Sequence, residues 1–309
     1  MLIAMDHPRD PTGALNANAF KRPHAADLGG DAPYMVIEPL RRTTPFVFAS
    51  PHSGRRYPES LLSQTRLSLH SLRRSEDAYV DELFAAAAAH GAPVLCATMA
   101  RTYVDLNRDP AELDPDMFHD GPPRGALLAS PRVQAGLGAI PRVAGDGEEI
   151  YRRPLSISEA ERRLNGVHRP YHAMLEALVA ETQAMFGCAV LIDCHSMPSS
   201  ARGPHAPDVV LGDRFGGSCH PELTAFIERE LRALGYKVAR NSPFAGGHTT
   251  QTYGRPKTGV HALQIELDRS LYLQERSLTR SSSFARVRAD MSRLVEALAA
   301  TADWPLRLR

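Results

Sequence analysis

The sequence predicts a layered α/β fold. Short apolar runs suited to buried strands alternate with helix-length amphipathic segments along the chain. Ligand-type polar residues also stand directly where three of those runs end: His52 after PFVFAS, Arg101 after APVLCATM and His195 after CAVLID. Open α/β sheets gather their ligands outside the carboxyl ends of strands.

The elements follow in chain order. Residues 1–31 mix Pro, Asp, Asn, Gly and His without a period and read as a poorly ordered lead-in; residues 32–309 read as a single domain. Pro45–Ser50 is a strand that stops at the turn residues Pro51-His52-Ser53-Gly54. Ser75 is the expected N-cap of a helix that passes through Asp77, Val80, Leu83 and the alanine run and ends at Gly91. APVLCATM is a strand. The stretch Asp109–Arg153, rich in Pro, Gly and Asp, is a long irregular excursion of the kind that supplies lids and binding loops. Ser158 and Glu161 form a capping box for a long helix to Phe186, bent or broken near Pro170. CAVLID, DVVLGD, YKVAR and HALQIEL are strands. Pro221–Leu234 and Ser283–Ala300 are helices, and Gly246-Gly247-His248 opens a polar loop.

The composition removes whole classes of function. Lys plus Arg number 36 and Asp plus Glu 35, for a net charge of +1, so there is no global field for nucleic acid or an anionic membrane. No window has the ~18 uninterrupted apolar residues of a spanning helix, and the apolar start is too short for a signal peptide. The four cysteines form no C-x-x-C pair and three of them sit in or beside apolar runs, a usage suited to a reduced cytoplasm.

Four groups of residues carry candidate chemistry. His52 and His195 each follow an apolar strand and precede a Ser and a turn. Imidazole is the commonest zinc ligand, and Asp77, near a helix start, is a candidate carboxylate partner. The chain has 13 histidines, and an Asp at a helix start commonly serves as a dipole partner, so position alone leaves both readings open. Glu266 shares one face of its strand with Gln264 and Asp268, opposite Leu263, Ile265 and Leu267. There it is either a general base toward metal-bound water or part of a solvated face. Arg101, Asn107 and Arg108 suit a substrate carboxylate, with Asp105 able to pair with an arginine instead. His168 and His172, at i,i+4 spacing but without the Glu of H-E-x-x-H, read as a polar face or a structural contact. Cys194 adjoins His195 but points to the other face of its strand, which disfavours a thiol–imidazole dyad. There is no G-x-S-x-G elbow, P-loop or complete G-x-G-x-x-G.

Taken in order, these residues form a pattern that resembles the N-formylglutamate amidohydrolase family. The matching segments are SPHSGRRYP at 50–58, DAYVDEL at 77–83, RTYVDLNRDP at 101–110, RPYH at 169–172, LIDCHSMPS at 191–199, DVVLGDRFGGSC at 208–219, GGHTTQTYGRP at 246–256 and GVHALQIELDRSLY at 259–272. The resemblance implies a three-layer α/β/α fold with a mixed, mostly parallel central sheet, similar to zinc carboxypeptidases and aspartoacylases. It implies one divalent metal, zinc, on His52, Asp77 and His195, with Glu76 beside Asp77 as the other choice of acidic ligand. Glu266 becomes the catalytic carboxylate. Asn107 and Arg108, with Arg101, hold a terminal carboxylate, and Arg255 in YGRP serves an acidic substrate. The histidine-degrading members often carry an aromatic residue and an Ile-Thr-Arg run after the Gly-Gly. Here His248-Thr249-Thr250-Gln251 stands at this substrate-facing loop. The implied reaction is hydrolysis of the N-formyl amide of glutamate to glutamate and formate. A deacylase of another N-acyl amino acid and a non-catalytic carboxylate-binding protein are the alternatives. The partner in each case is a small molecule.

Overall fold

The computed structural model describes residues 32–121, 125–127, 130–145, 147–199 and 206–308. The lead-in expected over 1–31 lies outside them. Seven strands form one sheet: β1 (Tyr34–Ile37), β2 (Phe46–Ser50), β3 (Val94–Ala97), β4 (Ala189–Met197), β5 (Val209–Gly212), β6 (Val238–Arg240) and β7 (Val260–Asp268), in the spatial order β1-β3-β2-β4-β7-β5-β6. The β3–β2, β2–β4, β4–β7 and β5–β6 pairs are parallel; β1–β3 and β7–β5 are antiparallel. This is the mixed, mostly parallel sheet that the family resemblance implied.

The pleat divides the strand residues between two faces. On one face Phe46, Phe48, Ile192, Cys194, Leu263 and Ile265 belong to a single apolar cluster. The helices Val80–Phe84, Pro221–Ala233 and Phe284–Ala300 complete that cluster. Trp304 seals its end, edge-on to Phe46 at 5.8 Å and to Phe226 at 5.0 Å between ring centroids. The helix Arg169–Phe186 covers β2 and β4 from the opposite side and buries Tyr171, Met174, Leu175, Leu178 and Val179. Helices thus lie on both faces of the sheet. Toward the carboxyl ends of β4 and β7 the second face turns polar, and the parallel register pairs Asp193 with Gln264 and His195 with Glu266. All four cysteines are free and buried.

Several elements depart from the sequence expectation. β4 does not end at Asp193 but runs on to Met197, because every residue from Ala189 to Met197 has a partner on β7. Ser75 caps no helix: its hydroxyl accepts the Gly145 N–H at 2.8 Å. The Asp77 N–H donates to the His52 carbonyl at 3.0 Å, which holds this segment against the sheet and delays the helix to Val80–Phe84. Tyr79, just before it, turns the chain at φ 64°. The cap expected at Ser158 falls at Ser156, whose hydroxyl accepts the Glu159 N–H at 3.2 Å. The interruption near Pro170 is present as a π turn, Leu164–His168, before the helix Arg169–Phe186. Pro170 lacks the N–H that a continuous helix would need there. The segment after Gly247 is the short helix His248–Tyr253 rather than an open loop, since Asn107 accepts two of its first N–H groups. The edge strand β1 was not anticipated; it is four residues long and only half-buried along its length. The excursion 109–153 is mostly irregular but carries the 3₁₀ turn Pro115–Met117 and the short helix Pro131–Gln134; residues 122–124, 128–129 and 146 within it lie outside the described set. Among the described residues no helix is long and apolar enough to cross a membrane.

Candidate metal centre and substrate pocket

His52 leaves the end of β2, and the turn after it presses on the backbone at Thr98 and Met99, just past β3. A Cβ on Gly54 would stand 2.1 Å from the Met99 carbonyl oxygen, so only glycine fits without a shift. His195 projects from β4, and Asp77 is carried in by the segment tied to the His52 carbonyl. The three side chains meet in the interior, each no more than 3% exposed. Nδ1 of His195 lies 3.0 Å from Asp77 Oδ2, and Nδ1 of His52 lies 3.3 Å from the same oxygen. The two rings are 4.7 Å apart, centroid to centroid. One ligand atom from each residue lies within 4.8 Å of the others.

The far nitrogens are engaged. Nε2 of His52 lies 2.7 Å from Asp105 Oδ1, and Nε2 of His195 lies 2.9 Å from Asp193 Oδ1. An ionised carboxylate only accepts, so His52 Nε2 donates to Asp105 and its Nδ1 keeps a lone pair toward Asp77. His195 donates from Nδ1 to Asp77 at 3.0 Å and sets Nε2 beside both Asp193 and Asn107 Nδ2. Carboxylate partners of this kind fix the tautomer and orientation of metal-binding histidines. Nδ1 of His52, although buried, finds no hydrogen-bond partner. The donor set fits a divalent cation: two imidazoles and a carboxylate converge from a braced frame, and a cation would take the place of the proton that His195 shares with Asp77. Glu76 is spoken for elsewhere: it accepts from the Tyr57 hydroxyl at 2.7 Å and from Arg73 at 3.1 Å.

The electrostatics call for positive charge. Burial alone would raise Asp77, but the hydrogen bond with His195, the close approach of His52 and the charges of His52 and Arg269 hold its carboxyl well below the usual range. Burial would lower His195, yet the charge and hydrogen bond of Asp193, with Asp77 and Glu266, push it well above its ordinary value. A proton and a metal ion compete for the same lone pairs in such a place. Glu266, opposite His195, is raised to about 7 by burial and by the nearby charges of Asp77 and Asp193, which His195 and Arg101 partly offset. Gln264 donates to Glu266 Oε1 at 2.8 Å and sets its orientation.

These groups line a cavity of about 350 Å³. Its walls also carry Arg74, Arg101, Arg108, Arg132 and Arg269. Arg269 is committed to structure, donating to Asp77 Oδ1 at 2.9 Å and to the Arg74 carbonyl at 3.1 Å. Arg101 pairs with Asp105 at 2.7 Å. Arg108 donates Nε to the Leu137 carbonyl and Nη1 to the Asn107 carbonyl. Burial pushes its guanidinium down, and the like charges of Arg101 and Arg132 add to this against the pull of Asp105. Such a group gains from an incoming anion.

The structure brings His52, Asp77, His195, Glu266, Arg101, Asn107 and Arg108 into this one cavity. It does not bring Arg255 or His248 to its wall. Arg255 is exposed beside the start of β7, its N–H bonded to the Val260 carbonyl. The His248 ring instead faces His172 at 5.4 Å and His168 at 6.1 Å. Asn107 is fully used: Nδ2 donates to Asp193 at 3.1 Å and Oδ1 accepts the Thr249 N–H at 2.8 Å. Gly247 packs so closely on it that a Cβ there would stand 2.4 Å from Nδ2. Sequence reasoning missed Asp193, Arg132 and Arg269. Asp193 was within reach, because a carboxylate inside an apolar strand needs a partner just as Glu266 does. Arg132 and Arg269 carry no local signal.

A pair of braced imidazoles, a carboxylate between them and a second, high-pKa carboxyl in an arginine-lined cavity form a group of side chains suited to hydrolysis. The comparisons with known proteins specify it further. The family model for N-formylglutamate amidohydrolase matches residues 44–273. An N-formylglutamate deformylase of Pseudomonas aeruginosa is 33% identical over 275 residues, 86% of this chain and 96% of the relative. One from Pseudomonas putida is 33% identical over 239 residues, 75% of this chain and 82% of the relative. The crystal structure of an N-formylglutamate amidohydrolase from Ralstonia eutropha superposes with a TM-score of 0.83 at 36% identity, covering 88% of this chain and 98% of that one. The chain belongs to the N-formylglutamate amidohydrolase family and is a hydrolase acting on an amide bond.

Proposed function

We propose that this protein hydrolyses the N-formyl amide of an acidic amino acid, with N-formyl-L-glutamate as substrate and L-glutamate and formate as products, using one divalent cation, zinc, on His52, Asp77 and His195. The observation that carries the proposal is the shared orientation of the two imidazoles: each sets Nε2 against a carboxylate and aims Nδ1 at Asp77. The names of the relatives supply the substrate.

A cation held there supplies Lewis-acid polarisation of the amide oxygen and a water acidified toward neutral pH. The rest falls to the protein's own groups. Glu266, in its ionised form, takes the proton of the attacking water on a carboxylate oxygen and returns it to the leaving nitrogen. A carboxyl near 7 is matched to both halves of that task. Water adds to the formyl carbon, the C–N bond breaks, and the amine leaves with the proton Glu266 carried. Asp105 and Asp193 keep the imidazoles in the required tautomer. Arg108 and Arg132 receive the substrate carboxylates, and Asn107 holds the wall between them and His195.

The test is formate release from N-formyl-L-glutamate by purified protein, before and after chelation and zinc return, alongside N-formyl-L-glutamine, N-formyl-L-leucine and N-acetyl-L-glutamate. Chelator-sensitive, zinc-restored turnover that prefers the formylated dicarboxylate supports the proposal. Faster turnover of the acetyl compound would move the enzyme to another deacylase specificity, and full activity after exhaustive chelation would remove the metal.

A further inference from the structure

Behind Asn107 and Arg108, away from the substrate cavity, three imidazoles meet. His168 ends the π turn, His172 lies in the first turn of the helix Arg169–Phe186, and His248 opens the helix His248–Tyr253. The His168 and His172 rings are 4.4 Å apart, and a nitrogen from each of the three lies within 4.8 Å of the others.

The hydrogen bonds around this cluster are those of a ligand set. Nε2 of His168 lies 3.0 Å from the Arg108 carbonyl oxygen, and Nε2 of His172 lies 2.8 Å from that of Leu106. A carbonyl oxygen only accepts, so each Nε2 carries the proton and each Nδ1 is left with its lone pair. His168 is 1% exposed, and its Nδ1 has no hydrogen-bond partner among the described residues. Nδ1 of His172 lies 3.0 Å from the Tyr253 hydroxyl, whose single proton has the His172 carbonyl as an alternative acceptor at 3.1 Å. Among the described residues the His248 ring nitrogens have only the Thr252 hydroxyl, at 3.4 Å, and the ring is half-buried. Burial lowers His168 to about 4 and His172 to about 3, so both are neutral at ordinary pH, the form that binds metal.

We infer that His168, His172 and His248 form a second metal site, which takes one borderline divalent ion such as zinc through three imidazole nitrogens. An all-nitrogen set suits zinc, copper or nickel and does not suit calcium or magnesium, which need oxygen ligands. The ion would tie the helix His248–Tyr253 to the helix Arg169–Phe186. Through the two carbonyls it would also brace the backbone that carries Asn107, whose carbonyl and side chain receive the N–H groups of His248 and Thr249 at 3.4 and 2.8 Å. The site shares no residue with the His52–Asp77–His195 centre, so it stands or falls separately from the catalytic proposal.

The test counts zinc rather than turnover. The full-length double variant His52→Ala/His195→Ala, confirmed folded by circular dichroism, is dialysed against zinc and assayed by elemental analysis and calorimetric titration. The expected result is one zinc per chain. Adding His248→Ala or His172→Gln should weaken that zinc by more than the roughly 10–100-fold that loss of an outer partner costs. As a check that does not rely on the double variant, His248→Ala in the otherwise intact chain should lower the count from two to one. A folded double variant without bound zinc, or a count untouched by both single replacements, overturns the site.

Discussion

Asp193 and His195 leave the same face of β4 two residues apart, and the carboxylate of the first lies 2.9 Å from Nε2 of the second. Asp105 does the same for His52 from a different segment, at 2.7 Å. The expected consequence of Asp193→Asn or Asp105→Asn is zinc binding weakened about 10–100-fold, because the imidazole loses both its fixed tautomer and its added basicity. Competition against a chelator of known affinity measures this. Unchanged affinity in both variants would show that the outer carboxylates do not serve the centre.

Glu266→Gln should retain zinc and lose about 10²–10⁴-fold in kcat. In the parent enzyme kcat/KM should rise with pH through the Glu266 ionisation, because only the carboxylate can accept a proton. Burial and Asp77 set that group up at about 7 against an ordinary 4.5, and a neighbouring cation pulls it back, so the acid limb belongs between those two values. A profile flat across that interval would sink the assignment of the base.

Arg108→Ala should act mainly on substrate binding. A charge-assisted hydrogen bond contributes about 1.5–3 kcal/mol, and the preference for N-formyl-L-glutamate over its amide or apolar counterparts should shrink accordingly. Steady-state kinetics on the matched pair of substrates decides it. A fall in kcat with unchanged discrimination would place Arg108 outside carboxylate recognition.

Stability should fall in mild acid through His168 and His172. Their folded values, about 4 and about 3, lie below the ordinary 6.5, so the unfolded chain takes up the protons first. Their contribution is complete above 6.5 and is lost at about 1.4 kcal/mol per pH unit for each group as the pH drops toward the folded value. Urea midpoints of chelator-treated protein at successive pH values measure the slope, and His172→Gln should flatten it. Parallel slopes for parent and variant would refute this source.

Gly247→Ala places a methyl group 2.4 Å from Asn107 Nδ2. Either the helix His248–Tyr253 or the Asn107 side chain must move, and the link to Asp193 moves with it. Both the thermal midpoint and kcat/KM should drop; parent-like values in both would mean that the contact relaxes freely.

The sheet was largely legible because its strands are short, apolar and bounded by turn residues. Alternation in HALQIEL correctly put Glu266 and Gln264 on the face opposite Leu263 and Ile265. Helix starts were less legible. Ser75 and Ser158 carry the right chemistry for a cap, but tertiary hydrogen bonds decided the matter, Ser75 to Gly145 and Asp77 to His52. In the site, local position and resemblance indicated His52, Asp77, His195 and Glu266. The arginines of the wall were not legible, since Arg132 and Arg269 reach the cavity only through long-range folding. The trio His168, His172 and His248 lay half in view: the i,i+4 spacing was visible, but the third ring arrives from a segment 76 positions further along.

Cys194 and His195 are neighbours in sequence and strangers in space, one in the apolar cluster and the other in the cavity. With Cys96, Cys188 and Cys219 also enclosed, an alkylating reagent meets no exposed thiol on the intact molecule. Burial additionally holds the Cys96 and Cys219 thiols at about 12, where the reactive thiolate is scarce. Labelling by iodoacetamide therefore keeps time with opening of the sheet's greasy side, and gives the protein a built-in clock for unfolding that leaves the hydrolytic face unmarked.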